Sequence, residues 1–136
     1  MNFPNIQGCI VCEDVREEVF RKSTILGFYG LAPGVQILMK DIGLPIGRLV
    51  FFFVAEPTGQ GDFHVALRIV DDEEKEVVKV PAPVTFEPGR SNIVWNMQGL
   101  VFPKAGKYTI TLLASGEEKY RTWIEIRRGQ EKDFKV

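Results

Sequence analysis

The chain has 136 residues, of which 45% are hydrophobic and 26% charged, and its formal net charge is -1. This length is typical of one domain that buries its own core without disulfide bonds or metal ions. The nearly balanced charge gives no strong attraction to nucleic acid or anionic lipid, so neither is predicted as a partner. The N-terminal sequence MNFPNIQGC lacks the basic start and apolar run of a signal peptide, which predicts a cytoplasmic protein without a membrane segment.

Two cysteines, Cys9 and Cys12, have the CxxC spacing found in zinc sites. A structural zinc site needs two further ligands, and His64 is the only histidine that could serve as one. The sequence therefore predicts two reduced, buried thiols, with no metal and no other cofactor.

The first part of the chain alternates short β-strand patterns with turn signals. Strands are predicted at residues 7–12, 23–29 and 35–39, and a loop at 41–47. The charged segment 13–22 is predicted to be a solvent-exposed connection with room for one helical turn, because it is too short for a stable isolated helix.

The strand predicted at residues 49–55, LVFFFVA, is apolar without alternation. One face belongs to the core, and the other needs cover from a neighbouring segment or another molecule, because a long exposed apolar row promotes aggregation. Phe52 is the outward residue if Phe51 and Phe53 face the core, and the reverse assignment makes Phe51 and Phe53 outward. All three phenylalanines are therefore candidate interface residues.

Further strands are predicted at residues 63–71, 76–80, 84–86 and 91–97. Alternation in the first of them places His64 on the outward face. Pro81 and Pro83 separate the second and third, which predicts an edge position because proline cannot donate to a β-ladder. Trp95 is predicted to lie in the core.

Residues 100–127 predict a β-hairpin at the edge of a sandwich core, with Gly116 in its turn. Inward positions in both strands have even numbers, so a loop of three or five residues is predicted. Tyr108 follows Gly106 by two residues, which predicts a tyrosine corner, in which the hydroxyl bonds to nearby backbone.

About eight short strands, regular turns and no long helical pattern predict an all-β fold. The specific prediction is one antiparallel immunoglobulin-like β-sandwich of roughly seven to nine strands, spanning residues 1–128. Residues 129–136 carry charge and little apolar surface, which predicts a flexible tail.

Three motifs are CEDVREE at residues 12–18, KSTILGFYG at 22–30 and FPKAGKY at 102–108. They resemble a family of short bacterial proteins defined as a domain of unknown function. The resemblance covers nearly the whole chain and implies a small cytoplasmic β-sandwich. It implies no activity, ligand or catalytic residue.

One candidate for a general base is His64, with Asp62 nearby in sequence. No serine or threonine has a nucleophile-elbow context, and Gly59 and Gly61 lack the lysine and helix of a phosphate-binding loop. No catalytic residue is predicted and the protein is not expected to be an enzyme. His64 is assigned instead to an outward or interface position.

Outward residues Trp123 and Leu113 lie on the two strands of the hairpin. Either basic side chains cover them, or they form a contact surface for another protein. The favoured function is a protein-interaction or self-assembling module, with a homodimer as its simplest form. The alternative is binding of a small ligand or carbohydrate through loops or outward aromatic residues.

Overall fold

The computed structural model describes residues 1–19 and 22–134, which form two packed β-sheets. The strands are β1 (Ile6–Glu17), β2 (Ser23–Ala32), β3 (Val35–Met39), β4 (Leu49–Ala55), β5 (Gly61–Val70), β6 (Glu76–Phe86), β7 (Ile93–Met97), β8 (Gly106–Ala114) and β9 (Glu117–Arg128). A short 3-10 helix follows at Glu131–Phe134. The predicted all-β sandwich of seven to nine strands is therefore confirmed.

One sheet has four strands in the order β2-β1-β4-β7, and the other has five in the order β3-β9-β8-β5-β6. Neighbouring strands are antiparallel except β3 and β9, which are parallel. Alternate side chains from both sheets meet in one core, as expected when each sheet has a buried face. Core residues include Val11, Phe51, Phe53, Leu67, Trp95, Tyr108 and Ile124, so the predicted core position of Trp95 is confirmed.

The β8–β9 hairpin is present, but both strands lie inside the five-stranded sheet, so its predicted edge position is wrong. The predicted loop of three or five residues is also wrong. Ala114 pairs with Glu117 across a two-residue turn, whose positive φ angles of 52° and 78° match the primed turns of tight hairpins. A bulge between Leu112 and Leu113 shifts the register, which restores the alignment of inward residues.

A tyrosine corner precedes this hairpin, as predicted. The Tyr108 hydroxyl donates a hydrogen bond to the Lys104 carbonyl at 2.6 Å and accepts one from the Lys104 backbone N–H at 3.3 Å. The Tyr108 ring also packs on Phe102, with ring centroids 4.8 Å apart. The corner found in immunoglobulin-like sandwiches is thereby fixed to the core.

The predicted connection at residues 13–22 is wrong over most of its described part. Strand β1 continues to Glu17, and β2 pairs with it in antiparallel register from Ser23 onward. Charged residues are compatible with this extension because the apolar pair Val15 and Ile25 is half-buried while Arg16 and Glu17 remain exposed. Residues 20 and 21 of the predicted connection lie outside the described residues.

Strand β6 is continuous, so its predicted division into two fragments is wrong, whereas its predicted edge position is confirmed. Alternate residues of a strand direct their backbone N–H groups to the same side. Pro81 and Pro83 therefore both direct their nitrogens to one side, and the unpaired edge requires no donor there.

At the C-terminal end, the Gly129 N–H donates to the Met39 carbonyl at 3.0 Å, and the Gln130 N–H donates to the Asp133 carboxylate at 2.6 Å. Residues 135 and 136 lie outside the described residues. The single domain at 1–128 and the flexible tail at 129–136 remain predictions.

Candidate interaction surface

The face of the four-stranded sheet that points away from the core carries apolar residues on every strand. Directly paired residues of antiparallel strands share a face, so the register defines two rows across this sheet. One row consists of Leu31, Ile10, Phe52 and Val94. The next consists of Phe28, Cys12, Val50 and Asn96. A face of this composition needs cover.

The three phenylalanines of β4 divide between the two faces. Phe51 and Phe53 are fully buried in the core between the sheets, and Phe52 points away from it. Phe52 is nevertheless only 5% exposed, and its outward neighbours Cys12 and Val50 are also buried. The chain therefore covers the middle of its own outer face.

The cover is the distal half of the β1–β2 hairpin. Cys12 pairs with Val50 near the start of β4. If β1 continued straight, Glu17 would lie about 16 Å beyond this point, at roughly 3.3 Å per residue. Instead the Glu17 carboxylate lies 3.4 Å from the guanidinium of Arg90, on the loop before β7, which is near the opposite end of β4. The hairpin must therefore fold back over the sheet.

A small cavity marks the place where the hairpin meets the sheet. It has a volume of about 100 Å³, and its lining includes Phe52, Glu17, Ser23 and Arg90. Glu17 and Ser23 are the paired ends of β1 and β2. Phe52 therefore lies under the end of the folded hairpin.

The folded hairpin leaves side chains of edge strand β2 uncovered. Four of them form what we name the β2 edge patch: Leu26, Phe28, Tyr29 and Leu31. Phe28 and Leu31 are each 61% exposed, although both are large and apolar. Leu31 lies across β1, where its Cδ1 would be 3.5 Å from a Cβ at Gly8. The patch is thus supported by the sheet beneath it.

Edge strand β2 lacks two of the usual protections against pairing with other chains, charge and proline, although a bulge at Tyr29 interrupts its register with β1. It has ten residues, STILGFYGLA, and contains neither a charged residue nor proline. Edge strand β6 of the other sheet instead carries Glu76, Lys79, Pro81 and Pro83. Charges and prolines are the means by which natural sheets prevent association through their edges. The two sheets therefore differ sharply in how their long edges are protected.

Trp123 and Leu113 lie on the outer face of the five-stranded sheet and are half-buried. The two side chains do not adjoin each other. Trp123 pairs with Thr109, and the next outward pair, Thr111 and Arg121, separates the Trp123–Thr109 pair from Leu113. The Lys107 ammonium lies 4.7 Å from the Trp123 ring centroid, in cation–π geometry. A basic side chain therefore covers the tryptophan, which was one of the two sequence-based alternatives.

His64 is exposed on the same outer face, opposite Pro83 of β6. The Asp62 carboxylate accepts a hydrogen bond from the Thr85 hydroxyl at 2.6 Å. Asp62 thus has a partner on the neighbouring strand, and within the described residues no hydrogen bond joins it to His64.

The two cysteines lie on opposite faces of the four-stranded sheet. Cys9 pairs with the core residue Phe53, whereas Cys12 pairs with the outward Val50. Burial raises the pKa of the Cys9 thiol to about 12, with a smaller contribution from Cys12, and burial also raises the pKa of Cys12. The described part of the chain contains no cluster of three or more His, Cys, Asp or Glu side chains suited to a metal ion.

Sequence reasoning missed Phe28 and Leu31 as surface residues. The predicted strand ended at residue 29, so Leu31 was assigned to a turn, and nothing in the alternation showed that β2 is an edge. The usable signal was the absence of charge and proline from a ten-residue strand.

These features define a two-sheet β-sandwich with a self-covered outer face, in which the uncharged edge strand β2 has ten residues and the uncharged edge strands β3 and β7 have five each. A model described as a family of unknown function, DUF6941, matches residues 7–127, and the chain belongs to this family. The predicted membership of a family of unknown function is thus confirmed.

Comparison with curated proteins gives no match. Among solved structures, the chain is similar to the crystal structure of an immunoglobulin-like protein from Pseudomonas aeruginosa, with 13% sequence identity and a TM-score of 0.43. The similarity covers 90% of this chain and 95% of that one. Within the described residues, no helix has the length and apolar character needed to cross a membrane.

Proposed function

We propose that this protein is an interaction module that forms a homodimer through the β2 edge patch. The observation that carries the proposal is the combination of a ten-residue, uncharged edge strand with Phe28 and Leu31 each 61% exposed. Large apolar side chains on an unprotected edge favour association. The role is binding and not catalysis.

A second copy of the chain is the partner that this edge suits best. In a two-fold interface the same patch is used on both subunits, so residues of β2 meet residues of the partner's β2. Like charges near the symmetry axis would repel each other, and β2 carries no charge. Phe28 and Leu31 of each subunit would then cover the same patch on the other.

A two-fold interface doubles the contribution of each side chain in the patch. Fully burying one large apolar side chain contributes about 1.5–3 kcal/mol, and Phe28 and Leu31 contribute less than this because each is 61% exposed before association. Phe28 and Leu31 are already held against the sheet by strand pairing, so little backbone freedom is lost on association.

Single substitutions that place a charge in the patch test this proposal. Phe28→Lys and Leu31→Lys should each convert dimer to monomer in size-exclusion chromatography with light scattering, because two lysines would meet across the two-fold axis. Both side chains are exposed, so thermal unfolding should remain cooperative. Leu44→Lys is the matched control, since Leu44 is 57% exposed on the loop before β4.

The control variant should retain the dimer. Dimers that persist in both Phe28→Lys and Leu31→Lys would show that another surface holds the subunits together. A wild-type chain that is monomeric at every concentration would overturn the proposal.

A further inference from the structure

The outer face of the five-stranded sheet carries a row of four residues, three of which are basic. The row crosses four strands and consists of Lys79, Arg68, Thr111 and Arg121. Arg68 and Lys79 are directly opposite each other, and like charges in such a pair are destabilising. The ion pair between Arg68 and Glu76, at 3.1 Å, offsets this repulsion.

Two carboxylates hold the arginines in position without using all of their donors. The Arg68 Nε donates to Glu76 at 3.1 Å, and the two terminal nitrogens of that guanidinium lie outside this hydrogen bond. The Arg121 Nε donates a hydrogen bond to the Glu118 carboxylate, and the Arg121 Nη2 lies 2.7 Å from the same carboxylate oxygen. The Arg121 Nη1 lies outside this contact. Both side chains therefore combine an oriented guanidinium with remaining donors.

A concave region of about 370 Å³ lies over this row, with Arg68, Thr111 and Arg121 in its lining. Arg68 and Arg121 flank Thr111 on either side, so their Cα atoms are about 9–10 Å apart, or two strand spacings. Lys107, which lies four residues before Thr111 on β8 and contacts Trp123, also lines the region. Two arginine side chains at this separation can reach one oxyanion between them.

Three carboxylates also line the region, and two of them have hydrogen-bond or ion-pair partners within the protein. Asp71 accepts hydrogen bonds from the backbone N–H groups of two residues in its own turn. Asp72 pairs with Lys104 at 2.9 Å. Glu74, the third, is exposed on the rim. Its charge opposes an anion without blocking the floor of the region.

We propose that this region binds the phosphate group of a phosphorylated ligand. Arg68 and Arg121 would each donate to phosphate oxygens, and the Thr111 hydroxyl would donate from below. Lys107 would add a positive charge at one side.

Titration followed by amide NMR tests the proposal, with inorganic phosphate, O-phosphoserine and adenosine monophosphate as the three probes. Phosphate should give saturable shifts at the Thr109 and Thr111 amides. Arg121→Gln should weaken binding at least tenfold, and Glu74→Gln should strengthen it severalfold. Arg127→Gln is the control, because Arg127 is also an ion-paired arginine of β9 but lies outside the region.

Shifts that sodium chloride reproduces at equal ionic strength, or that survive unchanged in Arg121→Gln, would overturn the proposal. If O-phosphoserine binds most tightly, the natural ligand is a phosphorylated peptide. If adenosine monophosphate binds most tightly, the natural ligand is a nucleotide. Equal affinity for all three probes would mean that the phosphate group alone is recognised. The Phe28→Lys variant should bind phosphate as the wild type does, so failure of this site and failure of the proposed dimer are distinguishable.

Discussion

The Glu17 carboxylate lies 3.4 Å from the Arg90 guanidinium, although Glu17 ends β1 and Arg90 precedes β7. These two strands are not neighbours, because β4 lies between β1 and β7. The contact forms only because the β1–β2 hairpin folds back across the outer face of the sheet. Strand β4, which was predicted to need cover from a neighbouring segment or another molecule, is thereby covered within the chain.

Replacing Phe52 with Ala should destabilise the fold by roughly 3–5 kcal/mol, the usual cost of removing a buried phenylalanine ring. Phe52 is buried although it points away from the main core. Denaturant unfolding measures the loss. Arg90→Ala is the control and should cost less than about 1 kcal/mol, because the Glu17–Arg90 ion pair is exposed. A loss below 1 kcal/mol for Phe52→Ala would mean that the hairpin does not pack on this ring.

Thiol labelling should report on the same hairpin. Both cysteines are buried, and burial raises the pKa of both thiols, so neither should react with a thiol reagent at pH 8 in the native protein. Phe52→Ala should loosen the hairpin and expose Cys12 before Cys9, which lies in the core. Equal labelling rates for the two cysteines in this variant would show that the β1–β2 hairpin does not cover Cys12.

Replacing Tyr108 with Phe should cost on the order of 1 kcal/mol, the net contribution of one hydrogen bond. The main loss is the bond from the Tyr108 hydroxyl to the Lys104 carbonyl at 2.6 Å, and the longer bond that the hydroxyl accepts from the Lys104 N–H, at 3.3 Å, is lost with it. Urea denaturation provides the measurement. An unchanged midpoint for Tyr108→Phe would show that the tyrosine corner adds nothing to stability.

Local patterns in the sequence predicted much of the sandwich. Alternation placed β5 correctly, and the spacing of Gly106 and Tyr108 predicted the corner. These features depend on residues close together in the chain, which is why the sequence alone was sufficient for them.

The predictions that were wrong or missing concern contacts between segments that are distant in the chain. A bulge between Leu112 and Leu113 leaves no mark in the alternation, so the loop length was predicted wrongly. The charged β1 extension was interpreted as a connection because its pairing with β2 and its fold over Phe52 arise only in three dimensions. The exposure of Phe28 and Leu31 likewise depends on strand order, which propensity does not encode.

Acid sensitivity should arise partly from Asp71. Its pKa lies below the ordinary value of 3.8, mainly because the Lys75 N–H, and secondarily the Glu73 N–H, donate to the ionised carboxylate. A lowered folded-state pKa stabilises the fold above pH 3.8, and this stabilisation is lost as the pH falls through the folded-state value. Asp71→Asn should therefore flatten the acid limb of the stability profile, measured by urea unfolding from pH 5 downward. An identical acid limb in wild type and variant would contradict this assignment.

Sedimentation equilibrium of the wild-type chain between micromolar and hundred-micromolar concentration tests self-association through β2. A two-fold dimer should give a mass that rises with concentration toward twice the 15.4 kDa of one chain and does not exceed it, since a two-fold interface is closed. A mass that stays at 15.4 kDa throughout would contradict it.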